Sequence, residues 1–392
     1  MSVAHLTGAT ASSRRRLRVV IVAESFLPSV NGVTNSVLRV LEHLRRVGFE
    51  AIVVAPGPGE DDADGTPVVR VRSFDLPRYD DVRVALPRLR LMSILRDFRP
   101  DVVHLAAPTL LGAAAVHAAR RAGIPTVAVF QTDLAGFARR HGLGRMGDQI
   151  WRYLGWVHGQ ADRTLAPSTT AVWALTTRGV PNVELWARGV DLQRFHPRHR
   201  SDDVHRFLAP KGEVLVGYIG RLAKEKQVER LAPLLDLGGI RVVVVGDGPE
   251  RARLESKLPG ARFVGFQTGD DLSRLHATLD VFVHTGVDET FCQALQESMA
   301  SGVPSVAPCA GGPLDLVRHR ESGYLWTPDA PETMVGAVGD LAGDADVRRR
   351  LGCAARRDAE RRPWAQIMDE LVDHYHDVVH DPVRRSASVG VA

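Results

Sequence analysis

Two open, doubly wound α/β domains of similar size are what the sequence predicts. Three observations carry that expectation. The 392 residues exceed what one ordinary core organises and suffice for two. Short β-branched runs alternate with helical stretches, the pattern of a parallel sheet covered on both faces. The alternation then pauses at a polar, irregular stretch after Asp191 and begins again.

The first series opens with Leu-Arg-Val-Val-Ile-Val-Ala from Leu17, followed by a glycine-containing loop, a helical spacing over 33–46 and a strand over 51–55. Further buried runs at 102–105, 126–130 and 163–166 are separated by helical stretches such as 110–122. The second series places strands at 214–219, 241–245, 262–264, 281–284 and 304–307, with the boundary near Arg188. Trp364, Ile367, Met368, Leu371, Val372 and Tyr375 then share one face of a long closing helix over 364–380. The expected organisation is a tail over 1–16, domains over 17–188 and 189–363, that helix, and a flexible tail over 381–392. In such sheets ligands bind outside the carboxyl ends of the strands, so a cleft there is the expected site.

Composition narrows the function. Hydrophobic residues make up 44% and charged residues 24%, and no run approaches the roughly 18 apolar residues of a membrane span. The small, polar start runs into Arg14, Arg15 and Arg16 with no apolar segment, which argues against a secretory signal. Three cysteines without a C-x-x-C pair argue against a disulfide framework or a structural zinc, and a reducing cytosol fits. The net charge of +4 is modest and the arginines alternate with aspartates, so nucleic acid is not an expected partner.

Two stretches carry chemistry. In Gly220-Arg-Leu-Ala-Lys-Glu-Lys226 two cations, Arg221 and Lys226, follow the first strand of the second series. A guanidinium fork, an ammonium and a helix N-terminus together neutralise a diphosphate. In Glu289-Thr-Phe-Cys-Gln-Ala-Leu-Gln-Glu297 two carboxylates eight positions apart, one in a loop and one along a helix, can hold separate hydroxyl-bearing parts of one ligand. Either stretch alone is also what a solvated helix face or a capped helix end looks like.

Together, and in this order, they resemble the GT4 family of glycosyltransferases over essentially the whole chain. Four further passages match that family: Phe26-Leu-Pro-Ser-Val-Asn-Gly32-Val, Ala187-Arg-Gly-Val-Asp-Leu-Gln-Arg-Phe-His-Pro197, Val245-Gly-Asp-Gly-Pro-Glu250 and Gly302-Val-Pro-Ser-Val-Ala. The resemblance implies the GT-B architecture, with the closing helix returning to the first domain, and a retaining transfer from a nucleotide diphosphate sugar without a metal or other cofactor. No D-x-D dyad stands where metal-dependent transferases require one. It also implies roles. Gly32 lets the backbone approach the donor phosphates, Arg221 and Lys226 hold the diphosphate, Glu289 with Thr290 and Phe291 contacts the donor sugar, Glu297 binds ribose, and Gly248 belongs to the donor site. Gly311-Gly312-Pro313-Leu314-Asp315 is either another donor-facing loop or a plain turn.

Phe130-Gln131-Thr132-Asp133 ends a strand, with Gln131 where many relatives carry histidine. That departure puts a histidine-assisted role in doubt, and leaves Asp133 either as a catalytic carboxylate that holds the acceptor, beside Gln131, or the donor sugar, or as a helix cap. Within GT4 the first strand and Phe-Gln-Thr-Asp are most similar to actinobacterial GDP-mannose-dependent α-mannosyltransferases acting on membrane glycolipids, which implies GDP-mannose as donor and a lipid or glycolipid acceptor. A basic amphipathic stretch over 87–99 either rests on an anionic membrane or packs its apolar stripe inward. A UDP-sugar donor, a nucleotide-sugar epimerase or hydrolase, and a non-catalytic binder are the competing readings. A dehydrogenase fits less well, because Val245-Gly-Asp-Gly-Pro-Glu lacks the third glycine of the dinucleotide fingerprint.

Overall fold

The computed structural model describes residues 15–29, 31–76, 79–85, 90–131 and 144–380. Its strands are β1 (Arg18–Ala23), β2 (Glu50–Pro56), β3 (Asp62–Ala63), β4 (Thr66–Val71), β5 (Ser73–Leu76), β6 (Tyr79–Ala85), β7 (Val102–Ala106), β8 (Thr126–Val129), β9 (Arg163–Ala166), β10 (Val183–Leu185), β11 (Val214–Ile219), β12 (Ile240–Val245), β13 (Arg262–Gly265), β14 (Val281–Val283), β15 (Ser305–Pro308) and β16 (Gly323–Trp326). They build an eight-stranded sheet of order β10-β9-β8-β7-β1-β2-β4-β3, a six-stranded sheet of order β13-β12-β11-β14-β15-β16, and a separate β5-β6 hairpin. The two large sheets make the protein an α/β chain with two Rossmann-like domains. By packing density the described residues divide into a unit of 15–106, 110–126 and 378–380 and a unit of 107–109 and 127–377.

The six-stranded sheet is parallel throughout. Its strands read as unbroken apolar runs because both faces are covered. Val216, Tyr218, Val242, Val244, Val281, Val283 and Val306 enter one buried cluster. Their neighbours Leu215, Ile219, Val243, Val245, Phe282 and Ala307 enter the other. The strand order reverses between β11 and β14, so the loops leaving their carboxyl ends diverge and open a crevice. These are the loops of Arg221 to Lys226 and of His284 to Glu289. In the other sheet the corresponding reversal lies between β1 and β7, and the loop after β1 leads to Gly32.

One local expectation changes, and one open alternative is decided. No regular α-helix follows β11; the chain forms a 3₁₀ turn at Lys224–Lys226 and a 3₁₀ helix at Val228–Asp236. Pro233 lies inside the latter, where it has no N–H to give an α-helical bond, and Gln227 between them is left-handed at φ 49°. The amphipathic stretch forms the helix Arg90–Phe98, and Leu91, Ile94 and Leu95 are buried while Arg90 and Arg96 are exposed. Its stripe therefore packs inward, as the second of the two readings has it; residues 87–89 lie outside the described residues.

The closing helix is Trp364–His380. Trp186 Nε1 donates to Ile367 O at 2.8 Å, Arg163 reaches Asp377 at 2.9 Å, and Ile367, Met368, Leu371 and Tyr375 are buried. At about 2 kcal/mol for each buried side chain, this helix contributes an amount comparable with a domain's whole stability. A chain ending at residue 363 is expected to expose Trp186 and aggregate. A soluble truncated protein with a cooperative melt and normal turnover would contradict this.

Candidate functional site

The loops after β11 and β14 are tied together at several points. Thr285 Oγ1 donates to Lys226 O at 2.7 Å, and Tyr218, fully buried beneath, donates its hydroxyl to Arg221 O at 3.1 Å. Gly248 brings the loop after β12 onto this layer, because a Cβ there would lie 2.4 Å from Leu222 O. The result fixes the main chain of Arg221 to Lys226 while leaving the Arg221 side chain about half exposed, 3.4 Å from Glu225.

At the centre, Lys226 Nζ lies 2.5 Å from Glu289 Oε1, and His284 Nε2 lies 3.0 Å from the same oxygen. Burial opposes ionisation of Glu289, but the Lys226 ammonium and then His284 hold its carboxyl well below the usual carboxylate range. Burial likewise works against charge on Lys226, and Glu289 outweighs it, so the lysine pKa is raised. His284 is buried too; against that burial the Cys292 sulfur and the Glu289 carboxylate raise its pKa to about 9. One carboxylate thus sits between two cations in a water-poor pocket.

Glu289 is held by its own backbone. Gly312 N donates to Glu289 O at 2.8 Å, and a Cβ at Gly312 would come within 2.2 Å of Phe291 O. The loop Gly311-Gly312 is therefore a backing for the Glu289 loop. Phe291 is buried in the apolar cluster, so its backbone is what it can present to a ligand. The helix Gln293–Ala300 begins immediately after, at Cys292 with φ 90°, and its first turn has no side-chain cap. Such an N-terminus attracts anions. Glu297 lies on this helix, 3.5 Å from His276, whose pKa burial lowers to about 3. Its neighbour is thus a neutral imidazole.

Comparison with known proteins agrees with this arrangement. Residues 30–194 match the family model described as Glycosyltransferase Family 4, and residues 200–358 match the one described as Glycosyl transferases group 1. The chain is 49% identical, over 92% of its length and 97% of the relative's, to a GDP-mannose-dependent alpha-mannosyltransferase of Mycobacterium tuberculosis. The chain belongs to glycosyltransferase family 4. A GDP-mannose-dependent alpha-mannosyltransferase of Corynebacterium glutamicum is 44% identical over 93% of this chain and 90% of its own. The sulfoquinovosyl transferase SQD2 of Arabidopsis thaliana is 32% identical over 90% and 72%. Among solved structures, Anabaena Alr3699/HepE in complex with UDP superposes with a TM-score of 0.74 at 18% identity, covering 93% of this chain and all of that one. That likeness establishes the GT-B fold.

Of the residues singled out in this family 4 sequence, Lys226, Glu289, Arg221, Thr290 and Glu297 fall on the loops and helix at the β11–β14 reversal. Gly32 lies in the other unit. It is the first residue of the helix Gly32–Arg46, capped by Asn31, and a Cβ there would meet nothing within 4 Å. Gly32→Ala is expected to leave the melting temperature unchanged or raise it, since alanine favours the helix by about 1 kcal/mol. Its KM for the sugar nucleotide should nevertheless rise roughly tenfold, because the methyl group occupies space the ligand needs. Unchanged steady-state kinetics would remove Gly32 from the donor site. Asp133 lies outside the described residues.

Sequence reasoning passed over His284, Cys292 and Arg188. His284 reads as the last residue of a strand, and its only signal was a histidine at a strand's carboxyl end. His284, Glu289 and Cys292 bring one ligand atom each within 4.8 Å of one another, a spacing that would suit a metal ion. The Lys226 ammonium at 2.5 Å from Glu289 already supplies positive charge to this carboxylate, which argues against a cation there. Arg188 precedes the helix-facing segment at Gly189 and donates to Gln131 Oε1.

Proposed function

We propose that this glycosyltransferase is a retaining α-mannosyltransferase that takes GDP-mannose as donor and a membrane glycolipid as acceptor, such as a phosphatidylinositol mannoside or a glucuronosyl diacylglycerol. The observation that carries the reading is the Lys226–Glu289 pair at the β11–β14 reversal, with Arg221 on the same loop. The names of the curated relatives support the donor and the glycolipid class: alongside the mannosyltransferases stands a phosphatidylinositol dimannoside mannosyltransferase, 30% identical over 91% of this chain and 95% of its own.

In this reading Arg221, Lys226 and the open first turn of Gln293–Ala300 receive the diphosphate. As the anomeric carbon to phosphate oxygen bond breaks, its electron pair and charge move onto that oxygen, where preorganised cations stabilise the transition state more than the ground state. The acceptor hydroxyl attacks from the face the diphosphate leaves, forms the new glycosidic bond, and passes its proton to the departing phosphate oxygen. Glu289 holds sugar hydroxyls, with Thr290 and the Phe291 backbone beside it, Glu297 holds the ribose, Gly248 belongs to the donor site, and Gly32 lets the backbone of its own loop approach the donor phosphates. The acceptor-binding role falls to Gln131 and, as the family resemblance implies, to Asp133. The reaction needs no metal, since the ammonium and guanidinium supply the charge. Among the described residues no helix is long and apolar enough to cross a membrane. In this reading the enzyme meets its glycolipid acceptor by peripheral contact at the cytoplasmic face of the membrane, and co-sedimentation with anionic vesicles should weaken as salt rises.

The deciding experiment incubates the purified protein with GDP-mannose, UDP-glucose and other sugar nucleotides, with and without a glycolipid extract, in the presence of EDTA. Acceptor-dependent release of GDP is expected. Release of UDP would overturn the donor, release without acceptor would favour a hydrolase or epimerase, and loss of activity in EDTA would overturn the metal-free reading.

A further inference from the structure

One cation beside the site has no part in the reaction just described. Arg188 is anchored by its main chain: Gln296 Nε2 donates to Arg188 O at 2.9 Å, and Gln293 Nε2 donates to Gly189 O at 3.1 Å. Both glutamines belong to the helix Gln293–Ala300 that follows the Glu289 loop. The guanidinium itself donates to Gln131 Oε1, and Thr290 Oγ1 donates to Gln131 O at 3.0 Å. Arg188 and Gln131 are thus tied to the residue next to Glu289.

What this pair lacks is an acceptor of negative charge. Among the described residues the Gln131 amide oxygen is the side-chain partner of the Arg188 guanidinium, and no carboxylate pairs with it. Gln131 is 9% exposed, and its Nε2 is buried with no hydrogen-bond partner among the described residues. Burial pulls the Arg188 pKa down to about 10, which still leaves it charged near neutrality. A half-buried cation without a charged partner and a buried amide N–H without an acceptor are unfavourable in the free protein. An oxyanion satisfies both, and a guanidinium fork matches its geometry.

We infer that Arg188 and the Gln131 amide form an anion-binding pair in the transfer site, which receives an acidic oxygen, carboxylate or phosphate, of a substrate. The inference rests on the transferase reading above. The oxyanion comes either from the donor's diphosphate or from an acidic acceptor headgroup, and the experiment separates the two.

GDP is titrated calorimetrically into the wild-type enzyme, Arg188→Gln and Gln131→Glu, and steady-state kinetics are measured with a glucuronosyl diacylglycerol and with its neutral methyl ester. Gln131→Glu supplies an internal carboxylate that occupies the guanidinium, so it should bind anions as poorly as Arg188→Gln while melting no lower than wild type. A roughly ten- to hundredfold loss of GDP affinity in both variants assigns the pair to the donor phosphates. Unchanged GDP affinity with a similar rise in KM for the acid, but not for the ester, assigns it to the acceptor. Either result supports the anion pair. GDP affinity and acceptor KM within twofold of wild type, or an equal loss with acid and ester at unchanged GDP affinity, overturns it. If Arg188→Gln does not fold, Gln131→Glu carries the test alone, since a merely structural arginine gains from the added carboxylate. Should the wild-type enzyme transfer no mannose, the donor assignment fails on its own, and calorimetry with GDP and UDP still reads the contribution of Arg188.

Discussion

Lys226→Ala is expected to lower kcat by about 10²–10³ with a smaller change in KM, the range seen when one preorganised group facing developing charge is removed. The expectation follows from position. The ammonium has three donors, and the Glu289 carboxylate 2.5 Å away takes one. The remaining donors are free for a diphosphate whose charge grows only as the glycosidic bond breaks. Removing the ammonium also leaves Glu289 with His284 as its remaining close cation. Stability should therefore fall by about 3 kcal/mol, the low end for a broken buried pair because His284 still faces the carboxylate. Lys226→Arg should recover stability better than rate, because a planar fork does not reproduce a point charge. Rates measured with saturating sugar nucleotide, beside thermal melts of the same samples, check both statements. A variant that melts lower but turns over normally would make Lys226 a structural residue only.

The sheets were legible because their strands are buried on both faces. β1, β11 and β12 are nearly uninterrupted valine, isoleucine and leucine, and no other element of comparable length produces that pattern. β4, interrupted by Pro67 and Arg70, and the three-residue β10 at a sheet edge carry no such signature and were passed over. The helix expected after β11 was misjudged for a local reason, since Pro233 and the left-handed Gln227 hold that stretch in 3₁₀ form. Arg221, Lys226 and Glu289 were readable as candidates because each lies on the loop that leaves a strand's carboxyl end. Arg188 was not, since its partner Gln131 lies 57 positions away and only the fold brings them together. The same holds for Gly312, whose reason for being glycine is the backbone of Phe291 across the crevice wall.

Glu289→Gln is the complementary change, and its signature is a pH dependence. In the wild-type protein the His284 pKa is raised to about 9 from an ordinary value near 6.5. A raised pKa means that the imidazolium contact contributes fully below about pH 6.5 and is lost as pH climbs through about 9. A shift of that size is worth about 3 kcal/mol at most. Glu289, held below the usual carboxylate range, contributes above about pH 4.3 and is lost only in strong acid. The wild-type melting temperature should therefore hold between about pH 5 and 6.5 and decline toward pH 9. Glutamine keeps the shape but removes the charge, so Lys226 and His284 are left as neighbouring cations without the carboxylate between them. His284 then loses its proton more easily, and the decline between pH 6.5 and 9 should flatten, with the Cys292 sulfur alone left to favour the imidazolium. The rate should fall about 10²–10³-fold at every pH, because the sugar hydroxyls lose a charged acceptor and an amide NH2 stands where one carboxylate oxygen stood. Melts at pH 6, 7.5 and 9 decide the matter: if the variant keeps the wild-type slope, the alkaline loss belongs to another group, and His284 does not depend on Glu289 for its charge.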